Sequence, residues 1–178
     1  DLMFDCLKTF ESKFIKPDTK NYILITCHRA SNTELKSLKN ILNAINILSE
    51  KYNIVFPVHP RTKKIIQEHN ISLNFNLDTP KDYLTFMGLV KGSKYIVTDS
   101  GGLVREAYWM KKKSLFILNN PVWPELNEAG VSINCKPVLK SILTSFNKLE
   151  SMDIEFIEGL LGEGNASSYI TESLLNYE

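Results

Sequence analysis

Two periodicities alternate along this chain. Residues 22–26 (YILIT) form a short, apolar, β-branched run, the pattern of a strand buried on both faces. Over residues 33–50, Leu35, Leu38, Ile41, Leu42, Ile45 and Leu48 recur at helical spacing. Residues 54–58 (IVFPV) predict the next strand, 63–69 a helix and 75–77 a short strand. A helix follows over 82–91, with Tyr83, Phe86 and Leu89 or Val90 on one face. Residues 95–98 read as a strand, 102–110 as a helix, 114–118 as a strand and 131–134 as the last strand. From Pro137 the chain is mostly helical, ending in a terminal helix over 165–178. Gly159, Gly162 and Gly164 make 152–164 the expected linker before it.

Strand and helix therefore alternate, and several strands are apolar on both faces. That predicts an α/β fold: a doubly wound, mostly parallel, Rossmann-like sheet in a single domain over 1–178. Ligands of such sheets sit beyond the carboxyl ends of the strands. Four loops with unusual chemistry leave those ends: Cys27-His28-Arg29 with Asn32; His59-Pro60-Arg61; Asp99-Ser100-Gly101-Gly102; and residues 119–125.

The 178 residues suit one domain with a real core. Lys and Arg number 21 against 20 Asp and Glu, a net charge of +1, so neither a nucleic-acid nor a membrane-surface footprint is present. The Lys111-Lys112-Lys113 run reads as a solvated helix end. Cys6, Cys27 and Cys135 are far apart and odd in number, which predicts buried thiols in a reducing, cytoplasmic setting. No apolar run of roughly 18 residues and no signal peptide is seen. The opening DLMFDCLKTF looks like the middle of a helix, as if cut from something longer.

Ser100, Gly101 and Gly102 at a strand-to-helix corner fit two readings. One is a phosphate cradle of free first-turn amides; the other is an N-cap with glycines for close packing. One turn on, Glu106 can accept two hydrogen bonds from a diol such as ribose, or be an exposed helix glutamate, and Arg105 beside it reads as solvated. His28 and His59 each follow a strand. Their equivalent positions favour binding anions or moving protons over a structural loop role. No third ligand at useful spacing supports a metal, and Cys27 has no base and orienting group to make it a nucleophile. Phe86 is a platform for a base or a core residue, and Trp123 caps the pocket or packs.

Taken together the motifs resemble a known family. YILITCHRASN, VFPVHPRTKK, DYLTFMGLVKGSKYIVTDSGGLVREA, WPELNEAG and EGLLGEGNASSYITESLL occur in the order found in the non-hydrolysing UDP-N-acetylglucosamine 2-epimerases. The resemblance runs from Tyr22 to Leu175. It implies the second half of a two-domain, GT-B-type fold with the N-terminal domain absent. It also implies that Ser100, Gly101 and Gly102 hold the diphosphate, with Arg29 among the residues binding UDP. Glu106 would bind ribose, Phe86 would stack near uracil, and His28 and His59 would be the catalytic residues of this half. The implied reaction eliminates UDP to a glycal and adds it back to the other face, with no cofactor and no metal, in polysaccharide biosynthesis. The implied partners are the UDP-sugar and the missing domain, with a homodimer as one candidate assembly and neither nucleic acid nor membrane.

Where many members carry Arg near Asn119 and Glu-Arg before Pro-Glu, this chain has Val122-Trp123 and is one residue shorter. A Trp there with Arg105 looks like the branch acting on diacetamido uronic acids. The rival readings are a UDP-sugar glycosyltransferase domain and an inactive nucleotide-sugar binding module. A dehydrogenase is disfavoured because Gly-x-Gly-x-x-Gly does not follow the first strand.

Overall fold

The structure is a computed structural model that describes residues 1–177. Five strands make one parallel sheet: β1 (Tyr22–Thr26), β2 (Asn53–Val55), β3 (Tyr95–Thr98), β4 (Lys113–Ile117) and β5 (Ser132–Cys135). Their order across the sheet is β2-β1-β3-β4-β5. The order reverses between β1 and β3, so the connections leaving these two strands part to opposite sides. A crevice opens there at the carboxyl edge.

The helices are α1 (Leu2–Phe10), α2 (Ala30–Thr33), α3 (Leu35–Leu48), α4 (Pro60–Glu68), α5 (Tyr83–Gly92), α6 (Gly101–Trp109), α7 (Pro124–Glu128), α8 (Leu139–Ser151) and α9 (Ala166–Leu175). Alternation along β1 sends Ile23 and Ile25 to one face, packed with Leu38, Ile41 and Leu42 of α3 and Ile142 and Phe146 of α8. Tyr22 and Leu24 go to the other face, against Met87 and Val90 of α5 and Leu103 and Ala107 of α6. A third cluster joins Val104, Tyr108 and Phe116 to Leu126 of α7. Each of the fully buried aliphatic side chains contributes about 1.5–3 kcal/mol relative to exposure. The two-faced strands are thus what makes the sheet a covered middle layer.

Several boundaries differ from the sequence reading. The helix expected over 33–50 is α3, Leu35–Leu48; Thr33 ends the short α2, and the extended backbone at Glu34 separates the two. Strand β2 stops at Val55, before Pro57, which lacks an amide proton to continue a ladder. Residues 75–77 form no strand; a lone bridge pairs Pro57 with Asp78. The linker over 152–164 is irregular but not loose, since Ile154, Phe156, Leu160 and Leu161 pack against the third cluster. Glu178, the end of the expected terminal helix, lies outside the described residues. Of the lysine run only Lys111 is an exposed helix end: Lys112 donates to the Ser93 carbonyl at 3.1 Å, and Lys113 opens β4. Burial lowers the pKa of Lys112, with repulsion from Lys91 adding to it. Cys27 and Cys135 are buried as expected, but Cys6 is exposed on α1.

Candidate functional site

The crevice at the β1/β3 reversal is a cleft of about 320 Å³. His28, His59, Phe86, Ser100, Leu103 and Glu106 line it, as do Lys81 and Tyr83. Five of the eight residues singled out from the sequence therefore line one space; Arg29, Gly101 and Gly102 are not among its lining residues.

Asp99 ties the two halves together. Its side chain is 1% exposed. Oδ2 accepts the backbone N–H groups of His28 and Arg29, each at 2.8 Å, and the Asn32 amide at 3.4 Å. Oδ1 lies 3.2 Å from Nδ1 of His28. Arg29 turns back as well, with Nε donating to the Asp99 carbonyl at 2.7 Å. Asn32 also donates to the Ile117 carbonyl at 2.8 Å, which extends the tie to β4. Asp99 has no role among those expected from the sequence. Its signal was present, since a buried acid at a strand end needs donors from neighbouring strands, but those donors are 70 positions away.

His59 is the N-cap of α4, and its Nδ1 accepts the Arg61 amide at 3.2 Å. Its ring lies 6.1 Å from that of His28. Pro60 follows at N1, where its missing amide proton costs nothing.

Ser100 caps α6, with its side-chain oxygen accepting the Leu103 amide at 3.3 Å. That leaves the Gly101 and Gly102 amides at the helix's positive end. The glycines also serve packing. A Cβ on Gly101 would meet the Trp123 indole nitrogen at 3.3 Å, and one on Gly102 would meet the Met3 methyl at 3.2 Å. The structure shows the N-cap reading of the corner: Ser100 is a helix cap, and the glycines admit close neighbours. Trp123 lies behind the corner, donating to the Gly101 carbonyl at 2.9 Å, and does not cap the cleft.

Glu106 is not an exposed helix residue: it is 7% exposed and faces the cleft. Burial raises its carboxyl pKa, against a smaller opposing pull from Arg105. Among the described residues no side chain or backbone donor binds it, so its acceptor capacity points into the cleft. Arg105 is not solvated either. Its guanidinium stacks 4.5 Å from the Trp123 ring centre and pairs with Asp1. Phe86 is half-buried, its ring shared between the cleft and the α5–α6 core. Among the described residues no group of three or more His, Cys, Asp or Glu side chains is placed to hold a metal ion. No described helix is long and apolar enough to cross a membrane.

The family model described as UDP-N-acetylglucosamine 2-epimerase matches residues 2–175. The chain belongs to that family. Among epimerase relatives, a UDP-N-acetylglucosamine 2-epimerase homolog of Methanococcus maripaludis is 36% identical over 99% of this chain and 52% of its own length. A UDP-2,3-diacetamido-2,3-dideoxy-D-glucuronate 2-epimerase of Pseudomonas aeruginosa is 31% identical over 98% of this chain and 51% of its own. The S. aureus MnaA–UDP co-structure superposes with a TM-score of 0.84 at 26% identity, covering 98% of this chain and 52% of that one. The chain thus spans about half the length of the curated epimerases it matches.

Proposed function

We propose that this chain is the nucleotide-binding half of a UDP-sugar 2-epimerase. In this reading the cleft holds UDP, with the diphosphate on the Ser100-Gly101-Gly102 amides and beside Arg29. The ribose hydroxyls meet Glu106, and the uracil lies near Phe86. His28 and His59 face the diphosphate and the sugar. Together with a first domain supplying the remaining groups, the enzyme interconverts UDP-N-acetylglucosamine and UDP-N-acetylmannosamine, or a related acetamido sugar. UDP is eliminated across the anomeric bond and added back to the opposite face of the glycal.

The observation that carries the reading is Glu106: a buried carboxylate, without a partner among the described residues, one helical turn from free first-turn amides. An acceptor for a diol beside a donor set for an anion suits a nucleoside diphosphate. This half supplies the leaving-group side, where preorganised donors stabilise the charge that develops on the departing diphosphate. The chain by itself then binds UDP without turning a sugar over.

Calorimetric titration of the chain with UDP, with NAD as control, tests the binding. Saturable UDP binding that weakens in Glu106→Ala and Phe86→Ala supports the reading, and equal affinity for NAD overturns it. Turnover is tested on the enzyme carrying both halves. Epimer formed without an acceptor supports the epimerase, whereas transfer that requires an acceptor makes it a glycosyltransferase. The diacetamido uronate relative makes the corresponding modified sugar the second substrate to try.

A further inference from the structure

We propose that Asp99 is a positioning residue that fixes the Nδ1 proton of His28, so that His28 gains and loses its other proton at Nε2, on the cleft side. The use of that nitrogen rests on the nucleotide-sugar reading; the placement of the proton rests on geometry alone.

The two oxygens of Asp99 have different surroundings. Oδ2 faces three donors: the amides of His28 and Arg29 and the side chain of Asn32. Oδ1 is buried and has no hydrogen-bond donor aligned on it. The imidazole Nδ1 of His28 lies 3.2 Å from it without hydrogen-bond alignment, and a small rotation of the ring, whose side chain is 42% exposed, would bring an Nδ1–H into line. Two other polar groups lie close. Burial, then the charge of Asp99, raises the Cys27 pKa well above its usual value, so this thiol stays protonated and offers only a weak S–H donor. Arg29 spends its Nε on the Asp99 backbone carbonyl. A buried acceptor left bare is costly. A proton on Nδ1 of His28 relieves that cost, and it leaves Nε2 on the side of the ring away from the acid.

His59 stands in the opposite state. Its Nδ1 accepts a backbone amide, so a neutral His59 carries its proton on Nε2. The rings are 6.1 Å apart at one cleft. When both are neutral, His28 offers a lone pair and His59 an N–H. When His28 is charged, its Nε2–H becomes a second donor toward an anion while Nδ1–H remains on Asp99. The cleft can then change its donor count by one proton without moving a ring.

Asp99→Asn separates positioning from packing. The three donors at Oδ2 select the amide oxygen of the new side chain, which turns its NH₂ toward Nδ1 of His28. The neutral imidazole must then accept at Nδ1 and carry its proton on Nε2. Long-range ¹H–¹⁵N spectra of the labelled chain, without ligand and at a pH where the imidazoles are neutral, read the tautomer directly. His28→Gln assigns its signals. The expected result is Nδ1–H for His28 and Nε2–H for His59, with His28 alone switching to Nε2–H in Asp99→Asn. An Nε2–H tautomer for His28 in the unaltered chain overturns the proposal, and so does an unchanged tautomer in a folded Asp99→Asn. If that variant does not fold, the unaltered chain's own tautomer decides. Because no ligand is present, a failure here is distinct from a failure of UDP to bind.

Discussion

Trp123 donates its indole N–H to the carbonyl of Gly101, 2.9 Å away, while its ring lies 4.5 Å from the Arg105 guanidinium. The loop after β4 therefore grips the first residue of α6 from behind. Trp123→Phe keeps a ring under Arg105 but removes the side-chain donor to the Gly101 carbonyl, and should cost about 1 kcal/mol. Trp123→Ala also removes the stacking and should cost about 1 kcal/mol more. Urea unfolding midpoints at unchanged slope measure both. Under the proposed function, UDP affinity should fall in the same order, because the corner loosens.

Glu106 should cost stability while serving binding. Burial raises its folded-state pKa, so the folded chain binds more protons than the unfolded one across the carboxylate range. Stability contributed through this group then falls as pH rises from the unfolded pKa through the folded one. Glu106→Gln should be more stable than the unaltered chain at neutral pH, and the gain should shrink as pH falls through that range. Its UDP affinity should drop about tenfold through loss of a charge-assisted bond. Denaturation at several pH values, paired with calorimetry, checks both signs.

Gly88 is where α5 passes under the chain after α1. A Cβ there would lie 1.7 Å from the Ile15 carbonyl oxygen, and backbone cannot swing aside as a side-chain tip can. Gly88→Ala should destabilise the fold by about 3 kcal/mol, at the upper end for overpacking. A control at Gly159, where a Cβ meets nothing within 4 Å but φ is +78°, should lose less, through backbone strain alone.

The thiols should divide by burial. Cys6 is exposed, whereas burial pushes the Cys135 thiol up to about 12 and raises the Cys27 thiol well above its usual value. A thiol reagent at mildly alkaline pH should label one of the three cysteines quickly in the native chain and all three once it is unfolded. Rapid labelling of Cys27 in the native state would contradict its packing beside Asp99.

Where burial on two faces dictates composition, the sequence was legible. β1, β3 and β4 announced themselves as apolar runs, and the Asp-Ser-Gly-Gly corner fell where a strand met a helix. Legibility failed where the deciding contact was distant. Arg105 looked solvated because its stacking partner is 18 positions on, and Asp99 drew no role because its donors come from the β1 loop. The false strand at 75–77 failed for the opposite reason. Its alternation was local and real, but beside the edge strand β2 the chain makes only the single bridge from Pro57 to Asp78.

The amides that Asp99 gathers come from 71 and 70 positions earlier in the chain. No local segment can assemble that junction, and the entropy of closing so long a loop must be met before it forms. The cleft thus comes into being only when β3 has docked beside β1, and a partly folded chain offers a ligand nothing to hold. A nucleotide that needs the whole cleft would act as a folding aid by mass action. At a hundred times its dissociation constant it adds about 2.7 kcal/mol to the native state alone. The supply of that nucleotide would then govern how much of the chain escapes unfolding and proteolysis, quite apart from any reaction it undergoes.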